Sequence, residues 1–214
     1  MAVRRGATGR TQEERSAAMR QRLLDATIDC LVEFGYAGTT TTRVADRAGV
    51  TRGAQVHHFP TKTDLVTSAI RHLAAKRTEV AMAELDRLKA SADPIGDALQ
   101  LLWEMHQGPV FSATVELWVA SRTDPELRHQ MTLVEPIATG SLVEFGKALM
   151  PEHAAHPEFL HAVYTAMDVI RGILIASWAT RDDAELTARW HRARGHLRIL
   201  FVALMGPAGS GLSA

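Results

Sequence analysis

Two groups of residues in this 214-residue chain have types and spacings that could do chemistry. The first is a pair of Glu-x-x-His motifs, Glu126/His129 and Glu158/His161, with Glu116, Glu135 and Glu144 as further carboxylates. That set matches the ligands of a di-iron helical bundle, which would make the chain an oxidative enzyme. The second is AGVTRGAQVHHFPTK, residues 48–62, with a glycine, two adjacent histidines and a proline close together. It could be a metal loop, a catalytic loop, or a short helix that touches a partner. The carboxylates have a simpler explanation. Glu126 and Glu158 each directly follow a proline, in the first turn of a helix, where the helix dipole favours an acid. Metal pairs need mid-helix positions facing a core, so the di-iron enzyme is the alternative reading and no metal or cofactor is expected. His153 and His156, in PEHAAH, read as loop surface.

The elements around residues 48–62 decide the second case. From Ser16, apolar residues recur at helical steps (Leu24, Ile28, Leu31, Phe34) until Gly35, which should stop the helix. Thr40 is placed as an N-cap for a short helix with Val44, Ala45 and Ala48 on one face, ended by Gly49. Thr51 caps the next, from Arg52 to about His58; Pro60 forbids continuation because it disfavours helical geometry at Phe59. Two short helices joined by GVT form a helix-turn-helix, whose second helix lies in the DNA major groove. Gly49 permits the left-handed turn. Thr51 can also hold a phosphate at the positive helix end. Gly53 and Ala54 allow close approach, Arg52 can give two bonds to guanine, and His57, His58 and Lys62 lie within reach of phosphates.

The segment GYAGTTTTRVADRAGVTRGAQVHHFPTKTDL, residues 35–65, resembles the DNA-binding segment of the tetracycline-repressor (TetR) family. The likeness rests on Gly35-Tyr36, Thr39-Thr40, Val44-Ala45, Ala48-Gly49-Val50, Gly53 and the closing His58-Phe59-x-x-Lys62-x-x-Leu65. It implies that Thr41, Thr42 and Arg43 reach phosphates or a base edge. It also implies that Thr51, Arg52, Gly53, Ala54, Val56, His57 and His58 form the reading helix, and that Lys62 binds phosphate. Two positions depart from the family pattern, which usually has Leu-Tyr where this chain has Gln55-Val56. Val56 cannot replace the phosphate-binding Tyr but could meet a thymine methyl. Gln55 either pairs within the domain or turns toward DNA.

The rest of the chain reads as helical. Lys62 to about Lys89 is one long amphipathic stretch. Pro94, Pro109, Pro125 and Pro157 sit near helix starts, whereas Pro136 should kink or break its helix. No β-branched alternation or repeat is visible, so the expected fold is all-α with nine or ten helices. The expected organisation is a flexible basic arm (1–15), a three-helix helix-turn-helix domain (16–61), a helical ligand-binding and dimerisation domain (62–206) and a disordered Gly-rich tail (207–214). Lys+Arg and Asp+Glu are both 24, which argues against a general polyanion binder but allows a local basic patch. The single Cys30 permits no intrachain disulfide and fits a reducing compartment. With no apolar leader and no long uncharged apolar run, a cytoplasmic protein without a membrane partner is expected.

An effector pocket is expected from bulky apolar residues with a few polar anchors. The candidates are Trp103, His106, Phe111, Glu116, Trp118, Phe145, Tyr164 and Met167, with Asp168 and Arg171 as anchors or as a buried structural pair. Met105 and Met131 are further wall candidates. Thr165, Val169, Gly172 and Ala176 form a face of small residues on which the same helix of a second subunit could pack. Leu197, Leu200, Phe201 and Leu204 should add an apolar face to the last helix. No nucleophile constellation is visible, so no enzyme is expected. The sequence therefore reads as a DNA-binding transcriptional regulator. It would be a homodimeric repressor released from a near-palindromic double-stranded operator by a small, mainly apolar effector.

Overall fold

The computed structural model describes residues 11–180 and 182–204, and among these the chain is all-α with no strand. Ten helices follow in order: α1 Gln12–Gly38, α2 Thr41–Ala48, α3 Arg52–His58, α4 Lys62–Ala83, α5 Leu85–Lys89, α6 Pro94–His106, α7 Pro109–Ala120, α8 Pro125–Leu149, α9 Phe159–Thr180 and α10 Asp183–Leu204. Most of the expected basic arm (1–10) and the tail (207–214) lie outside the described residues.

Backbone chemistry bears on four local readings. Helix α1 begins at Gln12 rather than Ser16, because Thr11 and Glu14 form a capping box. Gly35 stops the regular helix as expected, at φ 65° and a non-helical ψ, and α1 resumes across this kink for a short stretch to Gly38. The long helix after Lys62 closes at Ala83, where Glu84 N–H donates to the Ala81 carbonyl (3.1 Å) in a tight turn before α5. Pro136 lies inside α8 without ending it. The lost bond would have gone to Thr132, which is exposed, so water can serve its carbonyl.

The chain forms two compact units. One holds the residues up to His72 together with Ser112–Thr132; the other holds Leu73–Phe111 and the chain from Leu133 onward. In the first, Leu23, Leu24, Ala26 and Cys30 of α1 meet Val44 and Ala48 of α2, Phe59, and Leu65 and Ala69 of α4. Each is an apolar side chain at helical spacing. Burying one of the leucines contributes roughly 1.5–3 kcal/mol. In the second unit, α10 packs on α9 and α6. Trp103 of α6 stacks on Trp190 of α10, with ring centroids 4.6 Å apart and planes 4° apart. Trp190 donates its indole N–H to Gln100 (2.8 Å), Arg194 donates to the Gly96 carbonyl (2.8 Å), and Arg198 pairs with Asp93 (2.7 Å). Helix α9 is long and apolar enough to cross a membrane, more so than the sequence reading allowed. It nevertheless buries Phe159, Ala162, Val163, Ala166, Met167, Ile170 and Leu174 and carries Asp168 and Arg171, as a core helix does.

Candidate functional site

The first unit aims its short helices through three local devices. Thr40 caps α2 by accepting from Arg43 N–H (3.2 Å). Gly49 ends α2 with φ 63°, the left-handed geometry that glycine takes without strain. Thr51 caps α3 by accepting from Ala54 N–H (3.2 Å). The result exposes Thr42, Arg43, Thr51, Arg52, Gly53, Val56 and His57, and leaves Thr41, Ala54, His58 and Lys62 half-buried. Val44, Ala45 and Ala48 face inward, so polar and small residues are left for the outer side. The outer side of α3 thus presents Arg52, Gly53, Val56 and His57 to solvent.

Three side chains there have internal partners that sequence reasoning did not supply. The Arg43 guanidinium lies 4.2 Å from the Phe34 ring centroid and donates to the Gly38 carbonyl; Arg47 lies 5.4 Å from the same ring and pairs with Glu33. Lys62 donates to the Tyr36 carbonyl (2.6 Å) and sits 3.9 Å from that residue's ring centroid. Burial lowers its pKa, and Asp124 partly offsets this. An ammonium has three donors, so the bond leaves others for a phosphate. Gln55 is fully buried and resolves the choice posed by the sequence, because it pairs within the fold. Its amide donates to the Phe59 carbonyl (2.6 Å), and Phe59 N–H donates back to the Gln55 carbonyl (2.8 Å). These bonds close the end of α3 just before Pro60. Burial lowers the pKa of His58, reinforced by His57 and Arg20, so its half-buried ring favours the neutral form.

The residues expected to line one pocket are spread over both units. Glu116 and Trp118 lie in the unit with α3. There Glu116 accepts from Tyr36 N–H (2.8 Å), and a Cβ on Gly35 would collide with its carboxylate. Tyr36 also makes a long hydroxyl bond to Asp124 (3.5 Å), and burial raises its pKa. In the second unit, Phe145 does line an apolar cavity of about 50 Å³, as does Met105. Other wall residues include Leu99 and Leu102 of α6, Leu142 and Leu149 of α8, Val163 and Ala166 of α9 and Phe201 of α10. Their only sequence signal was helical apolar spacing, which core residues share. Trp103 is taken up by its stack on Trp190, and Met167 is fully buried. Tyr164 and Asp168 are exposed on α9. Arg171 pairs with Glu135 (3.3 Å), not with Asp168. His106 is buried, its Nδ1 lies 2.8 Å from the Leu102 carbonyl, and its ring meets Phe111 edge-on at 5.9 Å. Burial pushes its pKa down to about 4, with Arg171 and Arg77 adding to the shift.

The di-iron alternative is not supported. Glu126, His129, Glu158 and His161 are all exposed, and among the described residues no group of three or more His, Cys, Asp or Glu could hold a metal ion.

An all-helical chain in which capped α2 and α3 form a helix-turn-helix has the architecture of a DNA-binding protein. Residues 23–69 match the family described as "Bacterial regulatory proteins, tetR family". The HTH-type transcriptional regulator CymR of Pseudomonas putida is 33% identical over 176 residues, covering 82% of this chain and 75% of CymR. A solved member of the TetR family from Streptomyces coelicolor A3 has a TM-score of 0.59 and 24% identity, covering 88% of this chain and 99% of that one. The multidrug binding protein EbrR, solved in complex with ethidium, has a TM-score of 0.59 and 24% identity, covering 87% and 97%. The chain belongs to the TetR family of bacterial regulatory proteins. It is a DNA-binding transcriptional regulator, not an enzyme.

Proposed function

We propose that this regulator is a homodimeric repressor, released from a near-palindromic operator when a small effector enters the helical domain. The observation that carries the reading is the outward face of α3, where Arg52, Val56 and His57 are exposed behind the Thr51 cap. Arg52 opens that helix, at the end that meets base edges, and can give guanine two parallel bonds. Thr41, Thr42 and Arg43 at the start of α2, and Lys62 at the start of α4, flank it and supply phosphate contacts. The functional division falls at 61/62, with residues 62–206 serving effector binding and dimerisation.

Two reading helices must reach successive grooves, which a two-fold dimer provides. Leu160, Tyr164 and Ile175 of α9 and Ile199 and Val202 of α10 are exposed apolar side chains, and Gly172 among them is open. Leu197 and Phe201, expected to serve this face, are buried in their own chain. Ile199 and Val202 take that role. The cavity of about 50 Å³ is far below the roughly 300–1,000 Å³ of a ligand pocket, which suits an effector-free form that an effector must open. EbrR, of the same fold, is a multidrug binding protein.

Selection of bound duplexes from a random DNA pool tests the reading. An enriched sequence with two-fold symmetry, and an affinity that falls steeply with salt, is expected. No enriched sequence, or a monomeric mass at micromolar concentration, sinks it.

A further inference from the structure

The apolar cavity of the second unit is uniform in its chemistry. Its walls come from α6, α8, α9 and α10, and among the described residues that line it none carries a polar side chain. The polar groups expected as anchors are elsewhere. Glu116 belongs to the other unit, Asp168 is exposed, Arg171 holds Glu135, and His106 turns its Nδ1 to the Leu102 carbonyl. At about 50 Å³ the space exceeds the roughly 10–15 Å³ that one water requires. A water or an ion there would find no side chain to bond. A void with such walls stays dry and accepts apolar atoms.

The cavity also has a way in. Ile95, Leu149 and Met150 line it and, on their other side, line a surface groove together with Lys89, Pro94 and Pro151. These three side chains therefore form the partition between the cavity and solvent, at the start of α6 and the end of α8. Met150 is 7% exposed and stands just beyond the last residue of α8. A methionine side chain is unbranched, with three rotatable bonds, so it can swing aside without moving a helix. Its thioether is only a weak acceptor, so the swing sacrifices no strong hydrogen bond. Met105 is a second such side chain in the wall. Rotation of the two enlarges a void that already exists.

We propose, building on the effector reading above, that this cavity takes a small uncharged molecule with no polar group, such as an alkylbenzene, admitted past Met150. A charged group or a hydroxyl entering it would lose its water without gaining a side-chain partner. The cavity thus selects by exclusion rather than by a directed contact.

Xenon and ethylbenzene are the apolar probes, used on the full-length protein. Benzyl alcohol and benzylammonium match ethylbenzene in size and differ in polarity; phenylacetate supplies the anion. Xenon is located in a pressurised crystal, binding is read by calorimetry, association by stopped-flow tryptophan fluorescence, and DNA release with an operator obtained by selection. Xenon should occupy the cavity. Ethylbenzene should bind about tenfold tighter than benzyl alcohol and about a hundredfold tighter than either ion. Ala98→Leu puts a larger side chain on the wall and should abolish ethylbenzene binding. Met150→Ala should speed ethylbenzene association severalfold and still exclude both ions; if Ala98→Leu fails to fold, this variant and the xenon site still decide. An empty cavity under xenon, a polar analogue binding as tightly as ethylbenzene, ethylbenzene binding untouched in folded Ala98→Leu, or an unchanged association rate in Met150→Ala overturns the proposal. Ethylbenzene that binds with the stated preferences yet leaves operator affinity unchanged would overturn the effector reading and not this site. Operator release by either ion, with no binding of ethylbenzene, would spare the effector reading and overturn the site.

Discussion

The reading head and the helical chamber are built on opposite plans. Around α3 the candidate contact side chains point outward, and their aim is set by bonds within a few residues: Thr40 to Arg43, Thr51 to Ala54, Gln55 to Phe59. In the second unit the candidate groups point inward and are held by partners far away in the chain, as when Arg171 meets Glu135 or Trp190 meets Gln100. The first surface is ready before its partner arrives, so affinity there need not include much reorganisation. In the second the apolar cavity is small, about 50 Å³, and the polar groups beside it already hold partners, as Arg171 holds Glu135. A ligand must displace existing contacts, and that is how binding at one place acquires a conformational consequence.

If this contrast is right, damage in the chamber should cost stability and damage on α3 should cost recognition. The largest effect is expected from Phe201→Ala. It removes a buried ring beside an existing cavity and should cost about 3–5 kcal/mol in chemical denaturation while leaving operator sequence preference intact. A shift in sequence preference would break the contrast. Acid should come next. His106 is neutral in the fold with a pKa near 4, against an ordinary 6.5. Between those values the unfolded chain binds the extra proton, so stability is complete above about pH 6.5 and falls as pH drops toward 4. The loss should approach roughly 3 kcal/mol. His106→Gln should flatten that part of the stability profile; an unchanged slope would show that the imidazole is not held neutral. On α3, Arg52→Ala should cost about 1–3 kcal/mol of operator binding and relax preference at one base, with the melting temperature nearly unchanged. The smallest effect is Thr51→Ala. Loss of the cap should cost about 1 kcal/mol of stability, measured by denaturation, and weaken all operators alike.

The same contrast explains what the sequence could say. Thr40, Gly49 and Thr51 were readable because a cap or a left-handed turn depends on its own residue and those three or four positions away. Arg52 and His57 followed from those caps, since fixing a short helix fixes its span, while Val56 came from the resemblance to the TetR segment. Gln55 was ambiguous because its amide could serve either side, and only the Phe59 carbonyl decided it. The bonds of Lys62 to Tyr36 and of Glu116 to the same residue span 26 and 80 positions, and no local pattern signals them. In the chamber, Phe145 and Met105, expected as wall residues, do line the cavity, whereas apolar helical spacing gave Phe201 to a face for a partner helix. It could not tell a cavity wall from filled core, because that depends on how neighbouring helices meet. Asp168 and Arg171 looked like partners by their spacing of three, yet Glu135, 36 positions from Arg171, is the one in contact.

The parallel Trp103–Trp190 pair has an optical consequence. Two indoles stacked 4.6 Å apart with nearly parallel planes couple their transition dipoles. Such a pair can produce an exciton couplet, bands of opposite sign in the ultraviolet circular dichroism, whose amplitude depends on ring separation and angle. Because one ring rides on α6 and the other on α10, the couplet would act as a built-in ruler for those two helices, reporting sub-ångström sliding in the unlabelled protein.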